Sequence, residues 1–83
     1  MNKTRDDTVL YASNNDQGTK ICRLIEKRIP RKHTKHVHMI EYDADNRKAR
    51  IHWDGGTPRR YKDRANRELV TLKFQVEHSE VHP

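Results

Sequence analysis

The histidines and the single cysteine are among the side chains that could hold a metal ion or move a proton. His33, His36 and His38 lie close together, Cys22 precedes them, and His52 follows on a neighbouring predicted strand. A zinc site needs four tetrahedral ligands, usually in C-x-x-C or H-x(3–5)-H spacing. Because neither spacing has a partner pair elsewhere, we predict half-exposed strand histidines that gain positive charge as the pH falls, and no metal or cofactor.

Acid–base catalysis would require a histidine or carboxylate held in a pocket beside a partner. Hydrophobic residues make up only 31% of the chain and charged residues 36%, which leaves little apolar material to bury such a pair. The G-x-S-x-G, H-E-x-x-H and glycine-rich phosphate motifs are absent from the sequence. A small basic ribonuclease that uses His52 or His38 beside a lysine or arginine is the enzyme these residues could form. We predict instead that the protein is not an enzyme.

Positive charge is the strongest compositional signal, with a net charge of +6 and a pI near 9.8. It is concentrated in two blocks. Residues 20–35 carry seven basic residues and one acidic residue, and residues 47–67 carry eight basic and two acidic ones. Two basic blocks on one small domain can merge into a single face, which indicates a polyanionic or acidic partner.

The second block contains a strand pattern that would display its cations as a row. Ala49, Ile51 and Trp53 alternate with Lys48, Arg50 and His52, so that the basic side chains would project together away from the core. Such a row could follow a phosphate backbone. We therefore predict binding of DNA or RNA through phosphate contacts with limited sequence selectivity. The predicted contact residues are Arg28, Arg31, Lys32, Lys35, Lys48, Arg50, Arg59, Arg60 and Lys62.

The alternative function is that of a small adaptor or inhibitor. In this interpretation the same cations dock on an acidic surface of a larger protein, such as a polymerase or nuclease. Both functions predict binding that weakens with salt. The two differ in whether nucleic acid or protein is the partner.

Several segments have the residue pattern of β-strands. Residues 8–12 are rich in β-formers, and residues 36–42 and 48–53 form a predicted hairpin across the Asp and Asn-rich connection 43–47. The glycine turn at Gly55 and Gly56 predicts a third strand over 57–61, with Pro58 at a sheet edge. Residues 69–76 alternate between apolar and polar side chains and predict a further strand.

Residues 19–30 are ambiguous between helix and strand. Ile21, Leu24, Ile25 and Ile29 fit a helical stripe, but Ile21, Ile25 and Ile29 also share one strand parity. The outward alternation of Arg23 and Lys27 slightly favours a strand. Residues 31–35 are predicted as a basic loop, and residues 62–68 as a short helical turn.

Short strands, glycine turns and a thin core favour a mainly β fold, an SH3-like barrel of about five strands. An α+β sheet with residues 19–29 helical is the alternative. The predicted organisation is a mobile tail over 1–7, a single domain over 8–77 and a second tail over 78–83.

The stretch ARIHWDGG, followed by Tyr61, resembles the strand–turn–strand of the Tudor, MBT and chromo-barrel group, where a run such as R-I-H-F-D-G-W leads to Y-D-x-W. The matching positions span about a sixth of the chain and are Arg50, Ile51, His52, Trp53, Asp54, Gly55 and Tyr61. Where that group has aromatic and acidic residues, this chain has Gly56, Lys62 and Arg64. The resemblance implies an SH3-like barrel without the aromatic cage that binds methylated lysine.

The sequence also bears on location. Its apolar stretches are far shorter than the roughly 20 residues needed to cross a bilayer, and its N-terminus has no secretory pattern. We therefore expect a cytoplasmic or nucleoid-associated protein without membrane contact. Cys22 is expected to be a buried thiol in a reducing compartment.

Overall fold

Four strands form one mixed sheet, and helices connect the strands that run parallel. The computed structural model describes residues 9–13 and 15–81. In chain order the elements are β1 (Leu10–Ser13), α1 (Asp16–Arg28), α2 (Arg31–Thr34), β2 (Val37–Asp43), β3 (Lys48–Asp54), α3 (Arg59–Leu69), a 3₁₀ turn (Val70–Leu72) and β4 (Gln75–Val81). The predicted tail over residues 1–7 lies outside the described residues.

The strands are arranged in the order β1-β2-β3-β4. β1 is parallel to β2, β2 is antiparallel to β3, and β3 is parallel to β4. Parallel neighbours need a long crossover connection. Helices α1 and α2 supply the connection between β1 and β2, and α3 supplies the one between β3 and β4.

The core lies between one face of the sheet and the helices. Ala49, Ile51 and Trp53 of β3 are fully buried, as the alternation predicted, and the helices cover them with apolar side chains of their own. The fully buried helical residues are Cys22, Ile25, Ala65 and Leu69. The opposite face of the sheet carries Lys48, Arg50 and His52, so the fold has two layers with one sheet face left open.

Helix α1 replaces the strand that the sequence slightly favoured. Its buried positions Gly18, Cys22, Ile25 and Ile29 recur at spacings of three and four residues, which is a helical period. Asn15 caps the helix, because its side chain accepts a hydrogen bond from the Gly18 backbone N–H at 2.8 Å. The isoleucines at 21, 25 and 29 therefore belong to a helical stripe.

The mainly β barrel is wrong, because two further segments predicted as strands are helical. The third strand over 57–61 is absent: α3 begins at Arg59, directly after Pro58, whose carbonyl accepts from the Tyr61 N–H. Residues 69–72 continue this helix into the 3₁₀ turn, and β4 begins only at Gln75. The basic loop over 31–35 likewise contains the short helix α2. Consequently the sheet stays open, and the protein is α+β.

The predicted hairpin is confirmed. β2 and β3 pair in antiparallel register, with Ile40 opposite Ile51. The Asp43 carboxylate accepts hydrogen bonds from the backbone N–H groups of Asp45 and Asn46, which fixes the start of the connecting turn. Asp residues favour such turns for this reason.

Strand β4 forms the edge of the sheet next to β3 and extends to Val81, so the domain boundary predicted at residue 77 falls within it. Residues 82 and 83 lie outside the described part of the chain. None of the helices in the described ranges is both long enough and apolar enough to cross a bilayer.

Candidate nucleic-acid interface

A groove of about 940 Å³ runs between the α1–α2 segment and α3. Two acidic side chains, Glu26 and Glu68, line it together with six basic ones. The basic lining residues are Arg23, Lys27, Arg28, Arg31, Lys35 and Arg64. Both basic blocks of the sequence therefore contribute to one surface.

Helix α1 supplies Arg23 and Lys27 because they lie one turn apart and outside its buried stripe. Pro30 then ends this helix and begins α2, with the carbonyl of Pro30 accepting from the backbone N–H of His33. Arg31 and Lys35 continue the basic wall beyond the bend. Two helical segments therefore form this wall, where the sequence predicted a strand and a loop.

Helix α3 forms the other wall of the groove. Ala65 and Leu69 bury one side of this helix against the core, which leaves Arg64 and Glu68 directed towards the groove. Their side chains form an i,i+4 ion pair with 3.5 Å between Nε and the carboxylate oxygen. Such exposed pairs contribute little to stability and exchange readily for other partners.

Tyr11 and Glu26 interact at the side of the groove. The Tyr11 hydroxyl donates a hydrogen bond to the Glu26 carboxylate. Burial and this carboxylate raise the pKa of Tyr11 to about 12. Glu26 therefore has a neutral internal partner and keeps its negative charge among the cations of the groove.

The open face of the sheet carries the predicted cation row, but carboxylates compensate it. Glu77 of β4 accepts both Lys48 Nζ at 2.8 Å and Arg50 Nη2 at 2.7 Å, and these two contacts lower its pKa to about 2. Glu41 Oε1 lies 2.6 Å from His52 Nε2. The side chains of the row are oriented as predicted, but neighbouring carboxylates offset their positive charge.

The remaining predicted contact residues lie at the start of α3 and on α2. Arg59 is exposed, and the Arg60 guanidinium lies 5.3 Å from the centroid of the Tyr61 ring. Lys62 is only 13% exposed and pairs with Glu80 of β4. Lys32 is exposed on α2 but does not line the groove.

The prediction of half-exposed strand histidines holds for His52 of β3, whereas His33 and His36 lie outside the strands. His33 lies in α2, is 95% buried and stacks on Tyr61 with 3.7 Å between ring centroids. Burial, reinforced by nearby Lys32 and Arg64, lowers its pKa. Of the five described histidines, His38 is the exposed one on a strand. The described residues contain no cluster of three or more potential metal ligands.

Cys22 is fully buried, as expected, and its thiol lies 3.5 Å from the Ile40 carbonyl oxygen. Burial raises the pKa of the Cys22 thiol to about 11. A thiol with so high a pKa is a poor nucleophile at neutral pH. We assign Cys22 to the core.

Of the nine predicted contact residues, the groove brings together Arg28, Arg31 and Lys35. Sequence reasoning missed Arg23, Lys27 and Arg64 as contact residues. The spacing of Arg23 and Lys27, four residues apart, was the available signal, and it required residues 16–28 to be assigned as a helix.

The chain was compared with models of known protein families, with curated proteins and with solved structures. None of these comparisons gives a match. The geometry and charge of the groove are therefore the basis for a proposed function.

Proposed function

We propose that this protein binds nucleic acid and that the groove between α1–α2 and α3 holds the phosphate backbone. The observation that carries the proposal is the set of six basic side chains that both sequence blocks contribute to one groove. Lysine and arginine side chains are the usual donors to phosphate oxygens, and they supply most of the affinity in non-specific binding.

The charge balance of the groove supports an anionic ligand. Six basic and two acidic lining residues leave a formal charge of +4. Glu26 already accepts from Tyr11, and Glu68 pairs with Arg64. By contrast, Lys48, Arg50 and His52 on the open sheet face contact Glu77 or Glu41. The groove is therefore a better phosphate site than the predicted cation row.

Limited sequence selectivity follows from the kind of contact. Phosphate contacts position a protein on nucleic acid but do not distinguish the bases. We propose binding without catalysis, because the histidine–carboxylate pair His52–Glu41 lies on the open sheet face, whereas the groove lies among the helices. A phosphate in the groove would be separated from this pair by the sheet.

The proposal is tested by removing two groove cations and comparing a matched pair elsewhere. The groove variant is Arg31→Gln with Lys35→Gln, and the control is Arg67→Gln with Lys73→Gln, which are exposed and do not line the groove. Binding of labelled DNA and RNA is measured over a salt series. Because each lost phosphate contact lowers the slope of log K against log salt by about 0.9, we expect the groove variant to lose about 2 from the slope.

The control variant removes the same total charge, so it should keep the wild-type slope and show only a small general loss of affinity. Equal slopes for the two variants would contradict the groove as the site. If nuclease-treated protein binds neither DNA nor RNA near physiological salt but retains a stoichiometric protein partner, the adaptor function replaces this proposal.

A further inference from the structure

The aromatic side chains of this protein lie in its core or pack against it. The chain has five Phe, Trp and Tyr residues. Trp53 is fully buried, and Tyr42 and Phe74 pack edge to face with 5.6 Å between ring centroids. Tyr61 is stacked on His33, and Tyr11 packs against the core with its hydroxyl on Glu26. Trp53 apart, the rings are partly buried, and none of the five belongs to a fully exposed residue.

This arrangement matters because proteins that bind single strands stack unpaired bases on exposed aromatic rings. The groove offers cations and one tyrosine, Tyr11, whose ring and hydroxyl are both engaged. His38, the exposed histidine of the described residues, belongs to β2, which contributes no residue to the groove. An unpaired base would thus find phosphate donors nearby but only the partly buried ring of Tyr11 to stack on.

From these observations we infer that the ligand of the groove is double-stranded nucleic acid, an inference that rests on the proposed function. A duplex hides its bases and presents phosphates on two strands. The groove has basic residues on two walls, with Arg23 and Lys27 on one and Arg64, in an exposed ion pair with Glu68, on the other. Two helical walls with cations match two phosphate strands more closely than one.

Charge density favours the same ligand. α1 has 13 residues, so it is about 20 Å long at 1.5 Å per residue. A duplex carries one charge per ~1.7 Å of axis and each single strand one per ~3.4 Å, so this length corresponds to about twelve phosphates of a duplex or about six of a single strand. A surface that binds by charge alone gains more from the denser polymer.

The test compares a mixed-sequence duplex of about 18 base pairs, roughly three times the length of α1 at ~3.4 Å per pair, with its two separated strands. Fluorescence anisotropy gives the affinity at equal phosphate concentration, for wild type and for the Arg31→Gln, Lys35→Gln variant. We expect the duplex to bind at least tenfold more tightly than either strand, and the variant to lose this advantage. Inorganic polyphosphate serves as a competitor without bases or helical shape.

Each outcome distinguishes the two proposals. Single strands that bind as tightly as the duplex, with the groove variant impaired, overturn the duplex inference but keep nucleic-acid binding. Polyphosphate that competes as well as the duplex at equal phosphate also overturns it, because a single chain of phosphates would then occupy the groove as well as two strands do. Binding to no nucleic acid, or binding unaffected by the groove variant, overturns the proposed function itself.

Discussion

Replacing Gly18 with alanine tests whether α1 approaches β1 as closely as the fold requires. Glycine is unfavourable within a helix, so Gly→Ala normally adds up to about 1 kcal/mol of stability. Here a Cβ atom at residue 18 would lie 2.6 Å from Ser13 Cβ and 2.8 Å from Ser13 Oγ. We therefore expect Gly18→Ala to destabilise the protein instead.

The magnitude follows from the size of the overlap. Carbon atoms in contact are separated by about 3.5–4.0 Å, so the helix must move by roughly 1 Å to admit the new methyl group. Overpacking of this kind costs about 1–3 kcal/mol. The movement also strains the 2.8 Å hydrogen bond from the Gly18 N–H to the Asn15 side chain. After the helix propensity is subtracted, we expect a net loss of up to about 2 kcal/mol.

Urea unfolding followed by circular dichroism measures this loss, and substitutions at Ser13 locate its cause. Ser13→Gly removes both clashing atoms, so the Gly18→Ala penalty should fall by about 1 kcal/mol or more in that background. Ser13→Ala keeps Cβ at the shorter distance and should relieve little of it. A Gly18→Ala variant that is more stable than wild type in every background would refute the close approach of α1 to β1.

Three further substitutions each test the state of a single residue. The pKa of His33 is lowered from 6.5 by burial, so folding disfavours its charged form, and wild type should lose stability as the pH falls below about 6.5. His33→Phe keeps a ring on Tyr61 without titrating, so urea unfolding at about pH 7.5 and about pH 5 should show a smaller acid loss; an equal loss would exclude His33 as a source. Lys73 has φ 62°, a left-handed conformation that glycine adopts freely. Lys73→Gly should therefore raise the unfolding free energy by up to about 1 kcal/mol, whereas Gly56→Ala, at φ 88°, should lower it; the reverse order in thermal melts would contradict these conformations.

Local pattern was sufficient to predict the hairpin and insufficient for the helices. In β2 and β3, period-two alternation and a turn rich in Asp and Asn both indicate the same structure. In α1, Ile21, Ile25 and Ile29 are four residues apart, a spacing that fits a helix and a single strand parity equally well. Gly18 and Cys22 complete the helical stripe. The close contact between Gly18 of α1 and Ser13 of β1 joins two separate elements, so it is not visible in the sequence.

The prediction of a strand over residues 69–76 failed for a related reason. Its alternating Val70, Leu72, Phe74 and Val76 suggested a strand, yet Val70 is 64% exposed and Leu69 is the residue that is fully buried. Leu69 follows Ala65 by one helical turn, so α3 covers the core through these two positions. β4 is parallel to its neighbour β3. The chain must therefore run back along the sheet between these two strands, and α3 makes this crossover.

The sequence predicted that the candidate site would be positively charged, but not which basic residues would form its surface. Sequence reasoning treated all cations in the two blocks as equivalent, whereas the fold separates them by what they face. Glu77 lies opposite Arg50 in the register of β3 and β4, 27 residues away in sequence. No local pattern reveals this pairing, because it depends on which strands become neighbours.

The same strand pairing explains why the helices, rather than the sheet, carry the proposed ligand. An open sheet face exposes every second residue, so a cation row there needs compensation if it is not to repel itself, and Glu41 and Glu77 provide it. In the groove, Glu26 and Glu68 are engaged by Tyr11 and Arg64, and the other basic lining residues outnumber them. The excess positive charge of the groove is therefore stabilising only when an external anion is bound, which is the property a phosphate-binding surface requires.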